Sequence, residues 1–80
     1  MKLQQLARYD IKLLVALQVL LEEENVSRAA DRLNVTQSAM SKMLARLKET
    51  FGEELFVRTT HGIRANEKAL ALKLPLADAL

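Results

Sequence analysis

Apolar positions recur along this 80-residue chain with two different periods, and the change of period divides it. Over residues 10–24, Ile11, Leu14, Leu17 or Gln18, and Leu21 fall on one stripe, widened by Leu13 and Leu20. That spacing predicts an amphipathic helix with Asp10 as its N-cap. Glu22, Glu23 and Glu24 stand at the end where the helix dipole disfavours acids, so fraying is expected there. A second helix is expected to open at Ser27, capped by its hydroxyl, and to close at about Leu33. Asn34 then suits an exit through left-handed backbone, and Val35 turns back toward the core. Thr36 is placed to cap a third helix reaching about Phe51, with Met40, Leu44, Leu47 and Phe51 on one face and Gly52 as its stop.

After Gly52 the period falls to two. Residues 55–58 read as a strand, 59–62 as a turn in which Gly62 supplies the unusual backbone angle, and 63–65 as the return strand. Asn66 reads as the cap of a last helix, with Glu67 in its first turn. That helix carries two apolar stripes, Leu70, Leu74 and Ala77 on one and Leu72, Leu76 and Leu80 on the other. Both need burial, one in the chain's own domain and one against something else. Pro75 falls inside it and should kink it or end it early.

Composition narrows the class. The length is that of one small domain, and half the residues are hydrophobic, enough for a core made mostly of Leu, Val, Met and Ala. The absence of cysteine removes disulfides and thiolate metal sites. The N-terminal residues are interrupted by charge every few positions and lack a signal-peptide core, and no apolar run approaches membrane-spanning length. A soluble cytoplasmic protein without membrane attachment is the expectation. The net charge of +2 is unevenly placed. Residues 1–24 carry −1; residues 25–50 carry +3 from Arg28, Arg32, Lys42, Arg46 and Lys48 against Asp31 and Glu49; the remainder is balanced. Clustered base on one segment is what a polyanion rewards through counterion release, although a solvated helix face would look the same.

The second and third helices meet the demands of a helix-turn-helix motif. Ala29 and Ala30 allow close crossing, Asn34 allows a sharp turn, and the third helix opposes Met40, Leu44 and Leu47 to a polar face of Gln37, Ser38, Ser41 and Lys42. Gln37 can pair bidentately with adenine. Thr36 and the N–H groups at the helix start offer a phosphate site.

The run NVSRAADRLNVTQSAMSKMLARLKETFGEELFVRT resembles the N-terminal domain of LysR-type bacterial transcriptional regulators. The residues that carry the likeness are Ala29, Ala30, Leu33, Val35, Thr36, Gln37, Ala39, Ser41, Leu47, Gly52, Leu55, Phe56 and Arg58, and it covers about residues 9–80. The opening at residues 10–14 looks like the branch that includes LeuO and the nodulation regulators. VTQSAMSK also looks like the turn and recognition helix of phage Cro proteins.

The resemblance implies a mainly α fold with a small β wing. Residues 1–66 would form a winged helix-turn-helix domain of three core helices and a hairpin, with the motif at about 25–44 and the wing at about 55–65. Residues 67–80 would form a linker and dimerisation helix, and an effector-binding domain would follow. It implies sequence-specific binding of double-stranded DNA, with Thr36, Gln37, Ser38, Ser41 and Lys42 in or beside the major groove. Arg46 would lie near phosphate, and Arg58 and Arg64 would reach the backbone or minor groove from the two wing strands. It implies a homodimer through Leu70, Leu72, Leu74, Leu76 and Leu80, with a tetramer open for a longer protein, and a small-molecule effector only through the further domain. Ser38 stands where the family commonly has Pro and Lys42 where it often has Arg, which bears on target sequence. Asn66 replaces a more usual Thr cap.

Other readings are weaker. His61 is alone on a turn, so no metal site is expected and no cofactor is implied. Glu53 and Glu54 are neighbours at a helix–strand junction and do not converge on a substrate, so no catalytic residue is assigned and an enzyme is not expected. The alternative function is a small helical protein-interaction module that docks through its two-striped last helix, with the basic patch incidental.

Overall fold

The computed structural model describes residues 10–79. In chain order it contains α1 (Ile11–Glu23), α2 (Val26–Leu33), α3 (Gln37–Phe51), β1 (Phe56–Thr59), β2 (Gly62–Ala65), α4 (Glu67–Ala71) and α5 (Lys73–Ala79). Helices α1, α2 and α3 pack on one another, the two strands form an antiparallel hairpin, and α5 returns to lie on α1.

Local chemistry sets most boundaries. Asp10, in extended backbone, caps α1 by accepting from the Lys12 N–H at 2.9 Å. The other end of α1 does not fray as its acids suggested. Glu24 adopts left-handed backbone (φ 53°, ψ 32°) and donates its N–H to Leu20 at 3.0 Å. Arg32 Nη1 meets both Glu22 Oε1 at 2.9 Å and Glu23 Oε2 at 3.0 Å, so a cation from α2 offsets the unfavourable dipole. These hydrogen bonds, Glu22's first, raise the pKa of the exposed Arg32 above its ordinary value.

The cap of helix α2 lies two residues earlier than expected. Asn25, not Ser27, is the cap: its Oδ1 accepts from Arg28 N–H at 2.9 Å, which puts Ser27 in the first turn. Asn34 leaves the helix left-handed (φ 56°, ψ 44°), and Val35 N–H returns to Ala30 O at 3.0 Å, closing a Schellman-type exit. Gly52 ends α3 in the same left-handed region (φ 75°), where a side chain would be costly.

The last helix is two helices. Pro75 lacks an N–H for Ala71 O and its ring crowds that carbonyl, so a continuous helix through it is disfavoured. The chain breaks at Leu72, whose N–H bonds Ala69 O in a tighter turn at 3.0 Å, and restarts so that Pro75 sits in the first turn of α5, where its missing N–H leaves no bond unmade.

The core is a single apolar cluster. Leu13, Leu14, Leu17 and Leu20 of α1 meet Ala29 and Ala30 of α2, Met40 and Leu47 of α3, Leu55, Phe56 and Ile63 of the wing, and Ala69, Leu72 and Leu76 behind it. Ala29 has no exposed surface, as close helix crossing requires. Among the described residues no polar or charged side chain is buried. The stripes of the last segment therefore divide unequally. Leu72 and Leu76 lie in the chain's own core, which corrects their assignment to a dimer surface, while Leu70 and Leu74 remain 50% and 79% exposed. Leu80, the fifth residue of that set, lies outside the described residues.

Candidate nucleic-acid interface

Helix α3 presents its polar face to solvent at its N-terminal end. Thr36, in extended backbone, caps it by accepting from Ala39 N–H at 3.0 Å through Oγ1. Helix geometry offers the N–H groups of Gln37 and Ser38 no intrahelical acceptor, so they form a small donor site at the positive end of the dipole. Thr36, Gln37, Ser38, Ser41, Lys42 and Arg46 are all exposed, while Met40 and Leu47 on the opposite side are fully buried.

At roughly 100° per residue, the exposed face has two margins. Lys42 and Arg46 lie on one, where Arg46 Nη2 stands 3.9 Å from Asp10 Oδ2 at the start of α1, both groups exposed. Gln37 and Ser41 lie on the other, which turns toward the hairpin. Ser41, Ala45 and Lys48 of α3 line one wall of an open groove of about 570 Å³, and Val57 and Arg58 of β1 the other. Lys48 is a candidate phosphate contact absent from the sequence reading. The signal was its spacing from Ser41, two helical turns along the same margin. Its ammonium is held by Glu54 at 3.0 Å.

The wing separates two residues that had been grouped. Pairing in the hairpin is Phe56 with Ala65, Val57 with Arg64, Arg58 with Ile63 and Thr59 with Gly62. Directly paired residues share a face and neighbours along a strand alternate, so Arg58 is on the face of Ile63 and Phe56, and Arg64 is on the face of Val57. Arg58 emerges past the core edge into the groove beside α3. Arg64 is exposed and belongs to the other face of the hairpin, and it does not line this groove. Asn66 ties the wing's return to the rest: it caps α4 by accepting from Ala69 N–H at 3.0 Å, and its Nδ2 donates to Glu54 O at 2.6 Å.

The family model described as bacterial regulatory helix-turn-helix protein, lysR family, matches residues 11–70. The chain belongs to the LysR family. Within it, the chain is a winged helix-turn-helix DNA-binding domain of a transcription regulator. The HTH-type transcriptional regulator YidZ of Salmonella newport (strain SL254) is 42% identical over 73 residues, which are 91% of this chain and 23% of that protein. The chain therefore spans about a quarter of the length of the curated LysR relatives it matches. The crystal structure of the probable transcriptional regulator PA0477 from Pseudomonas aeruginosa superposes with a TM-score of 0.86 at 34% identity, covering 92% of this chain and 25% of that one. The CbnR DNA-binding domain, solved as a DNA complex, superposes with a TM-score of 0.81 over 88% of this chain and 80% of its own, and at 23% identity the likeness is one of fold. Among the described residues no helix is long and apolar enough to cross a membrane.

Proposed function

We propose that this LysR-family domain reads double-stranded DNA with the N-terminal end of α3 in the major groove and the wing on the flanking backbone or minor groove. The observation that carries the reading is the outward placement of Gln37, Ser38, Ser41 and Lys42 over a buried Met40 and Leu47. Gln37 pairs with adenine, Ser38 and Ser41 contact base edges or phosphate, and the donor site at the start of α3, shaped by Thr36, takes a phosphate. Lys42 and Arg46 hold the backbone on one side of the groove, and Arg58 holds it on the other. Arg64, on the other face of the hairpin, serves a separate phosphate. CbnR and BenM DNA-binding domains, whose fold this chain shares, are described in complexes with DNA, which supports the docking.

The test is a mobility shift on random duplex DNA at low salt. Binding at micromolar protein is expected, with affinity falling steeply as salt rises. No shift at that concentration would overturn the reading and favour a protein-docking module instead.

The apolar Leu70 and Leu74 form the surface on which a second copy pairs, and the protein acts in the cytoplasm as a homodimer, or a tetramer in its longer form. The effector enters only through a further domain. Replacing Leu74 with Glu is expected to shift the species seen in sedimentation from dimer to monomer. Binding to a duplex with two half-sites should then fall by about tenfold or more, through loss of the second contact, with single-half-site binding unchanged. Retention of the dimer would exclude this surface.

A further inference from the structure

Besides its apolar packing on the core, the wing is hydrogen-bonded to the turn that joins α1 to α2. In the hairpin ladder alternate N–H groups of β2 point away from β1. That of Ile63 donates to the carbonyl oxygen of Glu24 at 3.0 Å. Glu24 can offer this carbonyl because it has left helix α1 in the left-handed conformation, an uncommon state for a residue with a long side chain. The next residue, Asn25, caps α2, so the same two residues govern the entry of the motif and the edge of the wing. Gly62 completes the junction. A Cβ built on it would overlap the Glu24 carbonyl oxygen and lie 3.4 Å from the Glu24 carbonyl carbon and 3.5 Å from Asn25 Cα. All three are backbone atoms with no rotamer to yield. Ile63 is also the ladder partner of Arg58, the wing residue that lines the groove beside Ser41 and Lys48. A displacement at Gly62 and Ile63 is thus handed directly across the hairpin to Arg58.

We propose that the junction of Gly62 and Ile63 with the Glu24 carbonyl is the positioning element that holds Arg58 beside α3, so that wing and recognition helix meet DNA as one rigid unit. The proposal rests on the DNA-binding reading above. Gly62 and Glu24 act through Arg58 and make no DNA contact of their own. Adding a methyl group at Gly62 pushes β2 off the turn and carries Arg58 out of register with the phosphate, while Gln37 and Ser41 keep their own support from the helical core.

The experiment is the dependence of affinity on salt for a duplex, compared among the unaltered chain, Arg58→Gln, Gly62→Ala and the double variant. Each phosphate contact contributes about 0.9 to the slope of log affinity against log salt. Arg58→Gln should make the slope shallower by about that amount, Gly62→Ala should do the same, and the double variant should match Gly62→Ala alone. A mere loss of stability lowers the folded fraction without changing the slope. Should Gly62→Ala fail to fold, the ester analogue in which the Ile63 N–H is replaced by oxygen deletes the hydrogen bond without adding bulk, and the same pattern is expected. An unchanged slope in Gly62→Ala or the ester, or losses that add in the double variant, would overturn the positioning role while leaving Arg58 as a DNA contact. An unchanged slope in Arg58→Gln would instead remove the wing contact itself and this proposal with it.

Discussion

Replacing Gln37 with alanine is expected to weaken binding to the cognate site by about 1–3 kcal/mol, roughly 5- to 150-fold, because a bidentate amide–adenine pair is lost. Binding to random duplex should hardly change, since phosphate contacts supply that affinity and none of them is removed. Thermal stability should move by no more than about 0.5 kcal/mol, because Gln37 is exposed on the first turn of α3 and supports nothing in the core. A random-sequence selection with the purified chain supplies the cognate site, and titrations on that site and on a scrambled duplex then measure the ratio. Equal weakening on both would reassign Gln37 to the backbone and leave base reading to Ser38, Ser41 and Lys42.

The opposite face of the same helix gives the second large effect, on folding. Leu47 has no exposed surface and joins the cluster formed by α1, α2 and the wing. Leu47→Ala is expected to cost about 2–5 kcal/mol, through lost transfer energy and the cavity left behind. A domain of this size has a total stability on the order of 4–12 kcal/mol, so the melting temperature should fall by roughly 10 °C or more in a circular-dichroism melt. Where the variant is still folded, its discrimination between cognate and scrambled DNA should match that of the unaltered chain. A loss below about 0.5 kcal/mol would mean that α3 does not pack as described.

The contrast between these residues is legible in the sequence, because a period of 3.6 assigns Gln37 and Leu47 to opposite faces. Caps were legible for the same kind of reason. Asp10, Asn34, Thr36 and Gly52 act through their own side chains or backbone tolerance, within a few residues of where they stand. What escaped depends on parts of the chain distant in sequence. Asn25 and Ser27 are both competent caps, and only the path of the preceding turn chooses between them. The pairing of Arg32 with Glu22 and Glu23 joins two helices across a bend. Two apolar stripes on one helix do not declare which faces home, and the packing of α5 on α1 decides for Leu72 and Leu76. The candidate site followed the same rule. Residues on α3 could be placed from helical spacing alone, whereas the separation of Arg58 from Arg64 needed the strand register. Gly62 was read as a turn residue. Its positive φ (155°) is the unusual angle the sequence suggests, but it stands on β2, and the space taken by the Glu24 carbonyl adds a second constraint.

The wholly apolar interior has a practical corollary. With no ionised group in the interior of the described residues, and with its ion pairs confined to the surface, the fold is expected to depend little on ionic strength. Raising the ionic strength should strip the polyanion from an otherwise unaltered protein. The domain is thus expected to leave a heparin or DNA column in brine still folded, and to bind again after dialysis.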